Sequence, residues 1–215
     1  MILYEMKLKS IFIIPFLILS NSFAQTNSYA GEYYLSGVME TASGFRLNPD
    51  STFDFFYSYG ALDRGGKGNW AIQDSFVVLN SIGSAPDGFT LKNSRKVKSE
   101  GLMVIIDDPN PFFKKYVHGF VTGKEREEEQ QSDHDGILRF QAGAYDSLLM
   151  MMEFSSEKVF RFPLVGKEEN EFTFTFNPTI LEVFFRNHKL KIDSGGLRGK
   201  HPLLGEKDCF FEKAQ

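Results

Sequence analysis

The chain has 215 residues, 24 of them basic and 28 acidic, for a formal net charge of −4. That balance offers no basic stripe for a phosphate backbone, so it excludes nucleic acid as a partner and disfavours an anionic membrane surface. Cys209 is the sole cysteine, so no intramolecular disulfide can form.

The first element in chain order is a leader. Lys7 and Lys9 precede an apolar run from Ile11 to Leu19, and Ser22-Phe23-Ala24 places small residues two apart before Gln25. This is the layout of a secretory signal peptide cleaved after Ala24. The run is too short to span a membrane, which takes about 20 apolar residues. Met6 opens a more typical start, Met-Lys-Leu-Lys, than Met1. The chain is expected to be exported, to a periplasmic or extracellular compartment, with no integral membrane segment after cleavage.

After the leader, helical periodicity is nearly absent. Glu32–Ser36 and Gly44–Leu47 read as short strands, the second closed by a turn at Asn48-Pro49-Asp50-Ser51. Thr52–Tyr59 alternates cleanly, with Phe53, Phe55, Tyr57 and Tyr59 on one face and Asp54, Phe56 and Ser58 on the other. The glycine-rich stretch Gly60–Gly68 reads as a loop in which Asp63 and Arg64 could pair. Asn69–Gln73, carrying the one tryptophan, Trp70, and Phe76–Leu79 follow as strands. Phe89 and Leu91 suggest another strand within Ser81–Glu100.

Met103–Ile106 ends in a turn at Asp107-Asp108-Pro109-Asn110, and Tyr116–Thr122 is the next strand. Glu125–Gln131 reads as a solvated loop or hairpin end. Asp133-His134-Asp135-Gly136 turns into Ile137–Gln141. Leu148–Phe154, Val159–Leu164, Glu171–Phe176, Leu181–Arg186, Lys189–Ile192 and Cys209–Glu212 complete the series. Short, closely spaced strands predict an all-β antiparallel sandwich or barrel.

Residues 31–81 carry a recognisable pattern. Gly31-Glu-Tyr-Tyr, Leu47-Asn-Pro-Asp-Ser-Thr-Phe53, Gly60, Gly68-Asn-Trp70 and Phe76-Val-Val-Leu79-Asn-Ser81 resemble lipocalin-like barrel domains of exported bacterial proteins, with Ser51 in place of the usual turn glycine. Residues 103–163 resemble a second module. Val104-Ile-Ile-Asp107-Asp-Pro-Asn110, Tyr116–Thr122 and Ser132-Asp-His-Asp-Gly136-Ile-Leu-Arg-Phe140 are similar to carboxypeptidase-regulatory or transthyretin-like β-sandwiches. Together the resemblances imply a discontinuous lipocalin-like barrel, residues 25–100 and 166–215, with a small sandwich inserted at 101–165. They imply a fold more firmly than a function.

Catalytic signals fail on inspection. Asp193-Ser194-Gly195-Gly196 lacks the flanking residues of a serine-protease nucleophile and reads as a turn. Asp133, Asp135 and Gly136 lack the remaining ligands of a calcium loop. His118, His134, His188 and His201 have no metal-ligand spacing. Cys209 reads as a small buried hydrophobe, since Asp208 and Glu212 oppose the lysines that would activate it. No cofactor is called for.

The expected function is non-enzymatic binding of a small apolar ligand or an envelope protein partner. The candidate site is an aromatic cavity of Phe53, Phe55, Tyr57, Tyr59 and Trp70, with Asp63 and Arg64 holding the adjacent loop. A purely structural envelope protein with an interior filled by phenylalanine, of which the chain has twenty-three, and a hydrolase with a scattered site are the alternatives.

Overall fold

The computed structural model describes residues 28–215 apart from Ser84, Pro86 and Glu125, so the expected signal peptide lies outside the described residues. The period-2 pattern of Thr52–Tyr59 gives a strand with those bounds. Phe53 and Phe55 point into a core and Asp54 and Phe56 face out, as alternation requires. The same logic builds β1 (Gly31–Ser36), β2 (Thr41–Leu47), β3 (Thr52–Tyr59), β4 (Leu62–Gln73) and β5 (Phe76–Asn80) as a meander of antiparallel pairs. The β2–β3 turn holds Ser51 in the left-handed region, at φ 67°, where glycine is favoured. Asp50 steadies it by accepting hydrogen bonds from the Thr52 amide and hydroxyl.

The chain then leaves and builds two four-stranded sheets before returning. The first sheet runs β10 (Ile137–Phe140), β7 (Leu102–Ile106), β13 (Glu171–Phe176), β6 (Phe89–Arg95). The second runs β12 (Phe160–Pro163), β11 (Ser147–Met152), β8 (Val117–Thr122), β9 (Glu127–Gln131). Inward residues of both sheets form one core, with Val104, Ile106, Val117, Leu138, Leu148, Met150 and Phe174 fully buried. Its composition is largely aliphatic. The β13–β7 pair is parallel, in keeping with the long connection between those strands.

On its return the chain adds β14 (His188–Asp193), β15 (Gly196–Lys200) and β16 (Asp208–Lys213). These close an eight-stranded antiparallel barrel in the order β1-β16-β15-β14-β5-β4-β3-β2. Its core is about half aromatic. Phe45 lies 5.0 Å from Phe55 and 4.9 Å from Phe211, ring centre to ring centre.

Several expectations need correction. Gly60–Gly68 is not a loop: from Leu62 onward it is the first half of β4. Glu127–Gln131 is an edge strand whose glutamates alternate between exposed and half-buried; charge there discourages edge-to-edge pairing. Strands Phe89–Arg95 and Glu171–Phe176, placed in the barrel from sequence, pair with each other in the first sheet. The two sheets therefore draw on residues 89–176, a wider span than 101–165. Leu181–Arg186 is no strand. It alternates because it runs extended between two environments, with Val183 and Phe185 buried in the barrel core. Gly196–Lys200 is a strand that its glycines concealed.

Candidate site at the junction of barrel and sheets

β4 is longer than its partner. Asn69–Gln73 pairs with β5, whereas Leu62–Gly68 has no β5 neighbour. The returning segment fills that gap. The Val183 amide donates to the Gly65 carbonyl at 2.7 Å, the Ser81 amide to the Phe185 carbonyl at 2.9 Å, and the Phe185 amide to Ser81 Oγ at 3.1 Å. Gly66 of β4 makes room for this crossing. A Cβ on Gly66 would sit 2.6 Å from the Val183 carbonyl oxygen and 2.7 Å from the Phe185 ring.

Phe185 thereby enters the barrel, with its ring centre 5.1 Å from Phe53, 5.3 Å from Phe55 and 6.0 Å from Phe45. These are edge-to-face distances at which aromatic pairs add about 0.5–1.5 kcal/mol each beyond burial. The expected aromatic cavity is thus divided. Phe53, Phe55 and Trp70 are core residues, at most 3% exposed, and the Trp70 indole donates to the Asn48 carbonyl at 3.0 Å. Tyr57 is half-buried at the barrel mouth, and Tyr59, beyond it, is exposed.

The expected Asp63–Arg64 pair does not form. Neighbours in a strand point to opposite faces, so Asp63 faces solvent while Arg64 turns inward. The Arg64 Nε donates to the Leu181 carbonyl at 3.0 Å. Its terminal nitrogens reach Glu157, which lies between β11 and β12 in the chain; the Nη1–Oε2 distance is 3.2 Å. One arginine therefore joins the barrel, the returning segment and the two sheets. Lys158 reinforces the join, donating to the Thr179 and Ile180 carbonyls at 2.8 and 2.9 Å. Burial pushes its ammonium down, against the pull of neighbouring Glu157. A polar cleft of about 370 Å³ opens beside this cluster, among Tyr57, Arg64, Glu153, Glu157 and Leu203.

Behind the cleft lies a buried polar chain that sequence reading missed. His201 is 2% exposed. Its Nδ1 accepts from the Leu203 amide at 3.0 Å, which leaves the proton on Nε2. Nε2 donates to Ser43 Oγ at 2.9 Å, and Ser43 donates to the Phe56 carbonyl at 2.7 Å. The serine–histidine polarity is the reverse of an activated nucleophile, whose hydroxyl must donate to the imidazole. Burial pushes His201 down to about 4, and nearby His188 acts in the same direction. His188 is also pushed down by burial, opposed by a hydrogen bond to the Lys200 backbone. Its Nε2 is buried with no hydrogen-bond partner among the described residues. No spacing in the sequence announces this cluster: its members lie on β2, on β14 and in the loop after β15.

The remaining candidates resolve as turns. Asp193 and Gly196 close the β14–β15 hairpin, with Asp193 paired to Arg198. Asp133 accepts from the Asp135 and Ile137 amides and pairs with Arg139, whose guanidinium holds the carboxyl below its usual range. Among the described residues no group of three or more His, Cys, Asp or Glu side chains is placed to hold a metal ion.

On the opposite side of the returning segment lies a groove of about 410 Å³. Its walls come from β3 and β4 (Phe53, Asp54, Lys67), from Ile82 after β5, and from Glu182, Val183 and Phe184. Comparison with protein-family models, with curated proteins and with solved structures found no match to the chain.

Proposed function

We propose that this is an exported, non-enzymatic β protein that binds its ligand or partner at the junction between the barrel and the two sheets. The barrel interior serves as a packed support. The observation that carries this reading is the insertion of Phe185 among Phe45, Phe53 and Phe55, which fills the space a lipocalin-type ligand would occupy. The groove and the cleft flanking residues 177–187 are the concave surfaces that adjoin this insertion, and pockets favour such junctions between units.

The same reading takes the barrel as lipocalin-like and the sheets as a transthyretin-like insertion. It is supported by the closed eight-stranded topology and by the origin of both sheets in one stretch of chain, between β5 and β14. Export rests on the leader pattern. Mass spectrometry of secreted protein is expected to find a mature terminus at Gln25; a terminus still carrying Met1 or Met6 overturns export.

Trp70 tests the placement of binding, because it sits in the barrel core. Fatty acids, sterols, aromatic probes and short peptides are screened for a raised melting temperature, which reports binding to the folded state. Ligands that stabilise are expected to leave Trp70 emission unchanged. A stabilising ligand that shifts Trp70 emission lies inside the barrel and overturns the reading.

A further inference from the structure

The returning segment enters the barrel beside a buried imidazole. His188 opens β14 and faces inward with Leu190, as the alternation of that strand requires. The β14–β15 register sets Lys191 opposite Arg198 and, extended past that pair, brings His188 beside His201. The His188 ring centre lies 5.5 Å from Phe185 and 6.5 Å from Phe45, and Leu79 is its partner on β5. Its hydrogen bond to the Lys200 backbone favours the protonated ring. Nδ1 therefore donates that bond, and Nε2 is the nitrogen left to take a second proton.

An imidazolium at that place finds no acceptor for Nε2 among the described residues, and a buried unpaired charge is costly. No countercharge comes from the elements around it. His201, the titratable group that acts with it, is another imidazole. The Lys200 ammonium pairs with exposed Glu206, the Arg186 guanidinium lies against Phe184, Glu182 acts on Lys158, and Lys189 and Lys191 are on the outer face of β14. The neighbours of His188 differ in how they are held. Phe45 and Leu79 stand on strands paired in ladders. Phe185 stands on a segment with no ladder, tied to Gly65 and Ser81, to the Asn80 side chain by the Asn187 amide at 2.7 Å, and to Arg64 through Leu181. A segment tied by so few bonds opens locally at less than the cost of global unfolding.

We propose that protonation of His188 releases residues 181–187 from the barrel, so that acid opens the junction. Withdrawal of Phe185 lets water reach Nε2. It also takes Val183 and Phe184 out of the groove wall and Leu181 away from Arg64, which reshapes both concave surfaces. Burial holds His188 below its ordinary 6.5 in the closed form. The open form therefore takes up the proton as pH falls below 6.5, and closure is complete above it.

The test is hydrogen exchange of the full chain without any ligand, each amide rate divided by its intrinsic rate at the same pH. Protection at Val183, Phe185 and Asn187 is expected to fall roughly tenfold from pH 7.5 to pH 5 relative to protection at Phe53 and Phe55 in β3. Glutamine keeps a donor for the Lys200 carbonyl and does not titrate, so His188→Gln is expected to abolish this relative fall. His201→Gln is expected to keep it, because His201 packs on Phe55, Tyr57 and Phe211. A wild-type profile in which the segment and β3 lose protection together overturns the switch, whether or not His188→Gln folds. It leaves the junction standing as a binding surface, since no ligand enters the measurement. A relative fall that persists in His188→Gln overturns His188 as the trigger.

Discussion

The two cores of this chain solve the same burial problem with different materials. Between the two sheets, the fully buried side chains are mostly Val, Ile, Leu and Met, and the buried titratable side chain on these strands is Glu171, paired with Arg95. Inside the barrel, rings join Leu and Val in about equal number, and among them sit Ser43, Arg64, His188 and His201. A sandwich closes by stacking two faces about 10 Å apart, a gap that aliphatic side chains fill. A barrel of eight strands leaves an interior that large side chains must fill or a ligand must occupy. The polar groups cluster where the barrel meets the rest of the chain. The aliphatic core is therefore expected to supply stability largely indifferent to pH, and the aromatic one to respond to acid.

Truncation at the centre of each core gives the largest effect. Phe55→Ala and Phe174→Ala both remove a fully buried ring and are each expected to cost about 3–5 kcal/mol in chemical denaturation. Phe55→Ala is expected to shift the unfolding transition seen by Trp70 more than Phe174→Ala does. Equal shifts would show that the two cores melt as one.

Acid separates the cores more directly. His201 titrates near 4 in the fold against an ordinary 6.5, so between those values the unfolded chain binds the extra proton. Stability is thus complete above pH 6.5, falls as pH drops toward 4, and changes no further below that. The loss from this group is about 3 kcal/mol. Glutamine can accept from Leu203 and donate to Ser43 without titrating. His201→Gln is therefore expected to flatten this part of the Trp70-detected stability profile, and an unchanged slope would assign the effect elsewhere.

The link between the cores comes next. Arg64→Met leaves the Leu181 carbonyl and Glu157 without their guanidinium. It is expected to cost about 2 kcal/mol and to speed hydrogen exchange at Val183 and Phe185; unaltered exchange there would mean that the returning segment holds itself in place. The smallest effect is a gain. Ser51→Gly relieves a left-handed φ and is expected to add about 0.5 kcal/mol, after the entropy that glycine costs. A loss instead would mean that Ser51 contributes more than its backbone shape.

How much of this could be read from the residues depended on what enforced each element. Thr52–Tyr59 was legible because one face is buried and the other wet, and the alternation is written in the side chains. The first half of β4 was not, because Gly65, Gly66 and Gly68 also spell a loop. The small size of Gly66 is required by a segment more than a hundred residues later, which no local pattern records. Leu181–Arg186 failed for the opposite reason: its alternation is real, but it reports two-sided burial without a ladder. Arg64 was singled out in the sequence but given the wrong partner, since Glu157 is distant in sequence. The His201–Ser43 chain had no local signature at all.

The barrel's wall is written in two instalments. β1 must wait for β16, and Tyr33 pairs with Lys213, a partner at the far end of the chain. A chain that emerges from its N-terminus delivers five barrel strands, then both sheets, and only then the three that complete the cylinder. Contacts so distant in sequence form slowly, because a long loop must close first. Until they do, the aromatic faces of β2 and β3 stand open and prone to stick to other chains. The lone thiol of Cys209 lies on β16, half-buried against the barrel core, and it becomes shielded as that strand docks. Its labelling rate during refolding therefore times the last act of assembly, and a chaperone that delays release until residue 213 has emerged would act on that interval.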